Sequence, residues 1–311
     1  MTDGSSVPPD IVTCILNDAS GSGRAREASH RLADRFAEHG VKARIVLAGD
    51  GAEIAALAHR VVDDKAARVV AGGGDGTVNT VATALIGTET ALGVLPLGTL
   101  NHFAKDLKIP LELDAAVANF CTGRVARVDV GEVNGRMFLN NSSLGLYPTI
   151  VREREEQQSK GHGKWVSFVE ATLFALWRYS PLFVSLSLKD QHENISETPF
   201  VFVGNNRYNV SGLHIGERAR LDGGSLWIYG APHASRAALF RLALQALGGQ
   251  PDPGALETFQ ADEFWIGAKK RRLSVALDGE VTVLDTPLHY RVRPAALGVI
   301  VPAGDKMGLS N

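Results

Sequence analysis

The chain has 311 residues, 45% of them hydrophobic, enough for two sizeable cores rather than one. A net charge of -2 offers no basic field for nucleic acid or for constitutive binding to an anionic membrane. Two cysteines, Cys14 and Cys121, exclude a disulfide framework and read as two thiols in apolar surroundings.

Met1 to Asp10 is polar with two prolines, which fits neither a signal nor a transit peptide. No apolar run reaches the ~20 residues of a spanning helix, because Phe168–Leu186 is interrupted by Glu170, Arg178 and Pro181. A cytoplasmic protein is expected, with peripheral contact at the inner face of the membrane as its closest approach to lipid.

The first third alternates strand and helix. Short apolar runs at Ile11–Leu16, Ala43–Leu47, Arg68–Ala71 and Leu92–Leu95 predict strands, and Arg24–His39, Glu53–Val62 and Val78–Ile86 predict helices. This rhythm predicts βαβ units on a parallel sheet, with ligands held in loops at the carboxyl ends of strands. From about Val125 the runs become strand-like: Ala126–Val133, Met137–Leu144, Phe183–Leu188, Pro199–Val203, Leu226–Tyr229, Phe259–Ile266, Leu273–Leu277 and His289–Val292. Lys164–Tyr179 and Ser235–Leu247 carry helical spacing. The predicted fold class is α/β: an N-terminal three-layer α/β domain (1–124, completed by 294–311) and a C-terminal β-sandwich-like domain (125–293).

After the buried run Val69–Ala71 comes Gly72-Gly73-Gly74-Asp75-Gly76-Thr77. Glycines there permit positive φ and close approach of a ligand. Successive N–H groups can then share one anion at the positive end of the next helix, with the Thr77 hydroxyl as a further donor. The spelling is neither a Walker A loop nor a dinucleotide fingerprint. Asp75 beside phosphates suggests an intervening Mg²⁺; a tight turn with Asp75 as helix N-cap is the plainer alternative. Downstream, Asp278-Gly279 between two strand runs is a hairpin signal.

The Gly-Gly-Asp-Gly-Thr spelling at 73–77 resembles the diacylglycerol kinase catalytic-domain family, which includes bacterial lipid kinases and sphingosine and ceramide kinases. Further segments carry the resemblance along nearly the whole chain: Asn17-Asp18-Ala19-Ser20-Gly21, Asn79, Pro96–Ala104, Phe138–Gly145, Gly204-Asn205-Asn206, Ala219–Leu226 and Asp278-Gly279-Glu280. It implies ATP as phosphate donor, Mg²⁺, and a nucleotide between the two domains. Nucleotide-binding residues would be Asn17, Ser20, Gly73, Gly74, Gly76, Thr77, Asn79, Gly98, Thr99 and Asn101. Glu280 would be the general base toward a lipid hydroxyl, and Asp75 would organise metal and phosphates.

The chain departs from that pattern at Asp18, where the family has proline, at Thr80 in place of glutamate, and at His102 and Gly223 in place of aspartates. Asp222 is left as the candidate for a structural metal. The helical run Lys164–Tyr179 reads as core, or as a lid where acyl chains enter. The implied partner is a lipid substrate met in transient membrane contact, with no nucleic acid; oligomeric state, a homodimer included, is open. An NAD kinase-like soluble kinase and a lipid- or nucleotide-binding regulator without turnover are the rival readings.

Overall fold

A computed structural model describes residues 11–18, 24–145, 182–188, 191–193, 198–211, 214–218, 220–230 and 257–304. The helical runs expected at Lys164–Tyr179 and Ser235–Leu247, and Ser20, lie outside these residues. The chain divides into two compact units, Met1–Asp129 with Ala295–Asn311, and Val130–Pro294.

In the first unit β1 (Ile11–Asn17), α1 (Arg24–Glu38), β2 (Lys42–Ala48), α2 (Gly51–Asp63), β3 (Arg68–Gly73), α3 (Asp75–Leu85) and β4 (Ala91–Pro96) alternate as expected. Two short helices follow, α4 (His102–Asp106) and α5 (Leu113–Thr122). Strands β2, β1, β3 and β4 lie side by side and parallel. Strand β3 is buried along almost its whole length, as a central parallel strand covered on both faces must be. Cys14, Leu16 and Val70 join Leu32 and Phe36 of α1 and Phe120 of α5 in one core. Phe36 meets Phe120 edge-on at 5.5 Å. Ile15, Val69 and Ala71, also buried, alternate to the opposite face, the side left to α2 and α3, which pack on each other. Asp50 caps α2, accepting from Glu53 N at 2.9 Å, while the Glu53 carboxylate reaches back to Gly49 N at 2.7 Å.

Beyond α5 the described residues form strands: β5 (Arg124–Val133), β6 (Arg136–Phe138), β7 (Asn141–Gly145), β8 (Val184–Leu188), β9 (Gln191–Glu193), β10 (Phe200–Asn205), β11 (Tyr208–Ser211), β12 (His214–Arg218), β13 (Leu226–Gly230), β14 (Glu257–Ala261), β15 (Glu263–Ala268), β16 (Arg272–Leu277), β17 (Glu280–Asp285) and β18 (Leu288–Val301). The last residues of β18 belong to the first unit, where Val299 pairs in parallel with Leu92 of β4. Within the second unit β18 pairs antiparallel with β15, β15 with β8, and β8 with β9. A six-stranded antiparallel sheet runs β14-β13-β10-β7-β16-β17. The inward residues of both sheets form one core, with Leu144, Val201, Val203, Ile228 and Val275 meeting Leu186, Phe264, Ile266 and Tyr290. Tyr290 stacks on Phe264 at 4.9 Å, and its hydroxyl pairs with Ser142 Oγ at 2.9 Å. Burial pushes that phenol well above its ordinary value. This is a sandwich of two facing sheets. Among the described residues no helix is long and apolar enough to cross a membrane.

Candidate functional site

The first unit gathers the two glycine turns. Helix α3 begins at Asp75, three residues earlier than the apolar spacing predicts, with Gly74 as its N-cap. Its first intrahelical bond runs from Val78 N to Gly74 O at 3.1 Å. The N–H groups of Asp75, Gly76 and Thr77 therefore lie ahead of the helical ladder, at the positive end of the helix.

None of Gly72, Gly73, Gly74 and Gly76 has a positive φ, which corrects one physical reason given for their presence. The constraint is contact. A Cβ on Gly72 would lie 2.2 Å from Leu16 Cδ2, and one on Gly73 2.4 Å from Thr77 Oγ1. A Cβ on Gly98 would fall 2.4 Å from Gly74 Cα. The turn after β4 thus lies backbone against backbone on the turn after β3, tied by Leu97 N and Gly98 N donating to Gly73 O at 3.0 and 3.1 Å.

Asn101 shapes the second turn. It is buried, takes a left-handed φ of 50°, accepts from Gly98 N at 3.1 Å, and donates to Gly98 O at 2.9 Å. Asn17, at the end of β1, donates to Thr77 Oγ1 at 3.0 Å. Thr99 and the His102 side chain are exposed. Thr80, where the family has glutamate, returns its hydroxyl to Gly76 O at 2.9 Å. Asn79 Oδ1 is buried and finds no hydrogen-bond partner among the described residues, an acceptor open to an incoming hydroxyl or amino donor.

Asp75 is the bridge between the turns. Its carboxylate accepts from His102 N at 3.2 Å and Phe103 N at 3.1 Å, so it caps α4 from another element. Those two N–H groups lessen the repulsion that a carboxylate exerts on a phosphate. The oxygens keep lone pairs and the residue is partly exposed, so the chemistry of this carboxylate fits a hard cation such as Mg²⁺.

In the second unit β16 and β17 form a hairpin in which Leu277 faces Glu280. Asp278 and Gly279 have φ of 48° and 91°, the pair of positive values that a two-residue hairpin turn with matching twist requires. Glu280 is the first residue of β17 and exposed. The Asp278 carboxylate turns inward and accepts from the N–H groups of Leu139, Asn140 and Asn141 at 2.7, 2.8 and 3.0 Å. Burial pushes its carboxyl above the ordinary range, opposed by those three bonds and the charge of Arg218.

The Asp222 carboxylate meets Arg220 Nε at 3.0 Å, Gly223 brings no side-chain ligand, and the Gly223 N–H is given to Asn206 Oδ1 at 2.8 Å. Among the described residues no group of three His, Cys, Asp or Glu is placed to hold a metal ion. Composition and spacing single out neither Arg218 nor the role of Asn101; both act mainly on backbone groups, which leave no side-chain pattern to read.

The Diacylglycerol kinase catalytic domain matches residues 12–133, and the YegS C-terminal NAD kinase beta sandwich-like domain matches residues 148–301. A "Probable lipid kinase YegS-like" of Pseudomonas aeruginosa is 34% identical over 262 residues, covering 80% of this chain and 83% of that protein. A "Diacylglycerol kinase" of Mycobacterium tuberculosis is 28% identical over 298 residues, covering 94% and 95%. A solved structure of a putative diacylglycerol kinase from Bacillus anthracis shares the fold with a TM-score of 0.77 at 21% identity, covering 95% of this chain and 99% of that one. Locked glycine turns in a parallel α/β unit, a sandwich unit that presents an Asp-Gly-Glu tip, and these matches together make the chain a member of the lipid kinase family that holds the YegS-like proteins and diacylglycerol kinases.

Proposed function

We propose that the protein transfers the γ-phosphate of ATP to a lipid hydroxyl, with Mg²⁺ as its metal. The observation that carries the reading is the close contact of Gly74 with Gly98, which leaves the N–H groups at the start of α3 clear for phosphate. Gly73, Gly74, Gly76, Thr77 and Thr99 bind the phosphates. Asn17 and Asn101 hold the two turns in shape, and the unpartnered Asn79 oxygen accepts from the nucleotide. Asp75 would hold Mg²⁺, whose charge would offset that of the phosphates.

Glu280 takes the proton of the acceptor hydroxyl as its oxygen forms the new P–O bond. The bond between the γ-phosphorus and the bridging oxygen breaks, and ADP leaves with that electron pair. The exposed start of an edge strand suits a carboxylate that must meet a bulky acceptor. The acceptor is diacylglycerol-like or sphingoid; the first matches the name of one relative, and a lipid acceptor that of another. The test is transfer of labelled phosphate to diacylglycerol, phosphatidylglycerol, ceramide and sphingosine. NAD is included because the sandwich family is described as NAD kinase-like; a labelled lipid supports the reading, and labelled NAD alone replaces it.

A further inference from the structure

Arg218, the last residue of β12, heads the largest fully buried side chains of the described residues, at 2% exposure. A guanidinium withdrawn from water needs acceptors for its donors. Nη1 donates to Leu139 O at 2.7 Å and Asn205 O at 2.9 Å, and Nη2 to Asn140 Oδ1 at 2.7 Å. The guanidinium also lies 5.6 Å from the centre of the Tyr208 ring.

The same short segment is gripped through its amides by Asp278, whose carboxylate takes the N–H groups of residues 139–141. Asp278 N in turn donates to Asn141 O at 2.9 Å, and Asn205 N to Asn140 O at 2.9 Å. A cation thus holds the oxygens of this segment and an anion holds its amides. Glu280 follows Asp278 by two residues, across a glycine.

We infer that Arg218 is a positioning residue for phosphate transfer: a cation built into the sandwich that fixes residues 139–141 and, through Asp278, the hairpin tip that presents Glu280. The inference rests on the reading of Glu280 as the base. It acts on transfer rather than on nucleotide binding, since its contacts converge on the tip that carries Glu280, while the proposed phosphate contacts at Gly73–Thr77 and Thr99 belong to the other unit. Lysine cannot replace the arginine, because an ammonium lacks the planar fork that reaches three acceptors at once.

The experiment is a double-mutant cycle on single-turnover transfer from ATP to whichever lipid of the panel the wild-type enzyme phosphorylates, with melting curves for each variant. Arg218→Lys should lower the transfer rate about 10- to 100-fold, as a misplaced catalytic group does, with KM for ATP within about twofold of wild type. Adding Arg218→Lys to Glu280→Gln should cost nothing further, because the arginine acts through that carboxylate. Should Arg218→Lys fail to fold, Asn140→Ser takes its place in the same cycle.

Wild-type transfer in the arginine variant, or losses that multiply in the double variant, overturns the inference while leaving Glu280 as the base. Full activity in Glu280→Gln alone overturns the reading of Glu280, and the inference with it.

Discussion

At Gly98 the added Cβ of an alanine would lie 2.4 Å from Gly74 Cα and 2.8 Å from Asn101 Oδ1. The first neighbour is backbone and cannot swing aside, so the two turns must part. Gly98→Ala is expected to destabilise the fold by about 1–3 kcal/mol, the usual cost of overpacking, and to raise KM for ATP at least tenfold. Calorimetry and steady-state kinetics check both, and unchanged ATP binding would count against a shared phosphate cradle. The glycines were legible in the sequence as a constrained turn, but for a reason that needed revision. Their service is contact rather than positive φ, and sequence spacing does not reveal which backbone will lie against which. Asp75 shows the same limit: its carboxylate was legible, whereas its two N–H partners come from α4, 27 and 28 residues away.

The β16–β17 hairpin was legible because Asp-Gly meets a local demand for two positive φ values in succession. Gly279→Ala, at φ 91°, is expected to lower stability by about 1 kcal/mol and to reduce turnover, read by melting and by transfer assays. The predicted run Met137–Leu144 instead breaks into β6 and β7, because the amides of Leu139 and Asn140 serve Asp278 rather than a neighbouring strand. Strand β18 extends well past the predicted His289–Val292; Pro294 and Ala295, the latter at φ 49°, hide its continuity from a reading of periodicity. On that strand Arg291 and Arg293 both donate to Glu132 of β5, whose side chain is only 6% exposed. Burial would raise the Glu132 carboxyl, but the hydrogen bonds and charges of the two arginines outweigh it and hold it below the ordinary range. A lowered carboxyl contributes stability above the unfolded value, about pH 4.3, and loses it as pH falls through the folded one. Glu132→Gln should therefore melt below wild type at pH 7, with the gap narrowing below about pH 4; a gap that widens there would reverse the assignment.

For the molecule as a whole, the change from alternating strands and helices to mostly strands was sufficient to read an α/β unit followed by a sandwich. The candidate site was legible where it depends on short local spellings, Gly-Gly-Asp-Gly-Thr at the turn after β3 and Asp-Gly-Glu at the hairpin tip. It was not legible where a buried cation such as Arg218 meets backbone oxygens contributed by distant strands. The central claim is that one unit binds ATP by its glycine turns while the other supplies Glu280 as base. The most direct measurement is phosphate transfer from labelled ATP to the lipid panel by wild type and Glu280→Gln, alongside ATP binding by each. The account predicts a labelled lipid with wild type, a rate at least ~100-fold lower for Glu280→Gln, and equal ATP affinity. Wild-type transfer by Glu280→Gln, or no labelled lipid from a wild-type protein that binds ATP, would contradict it.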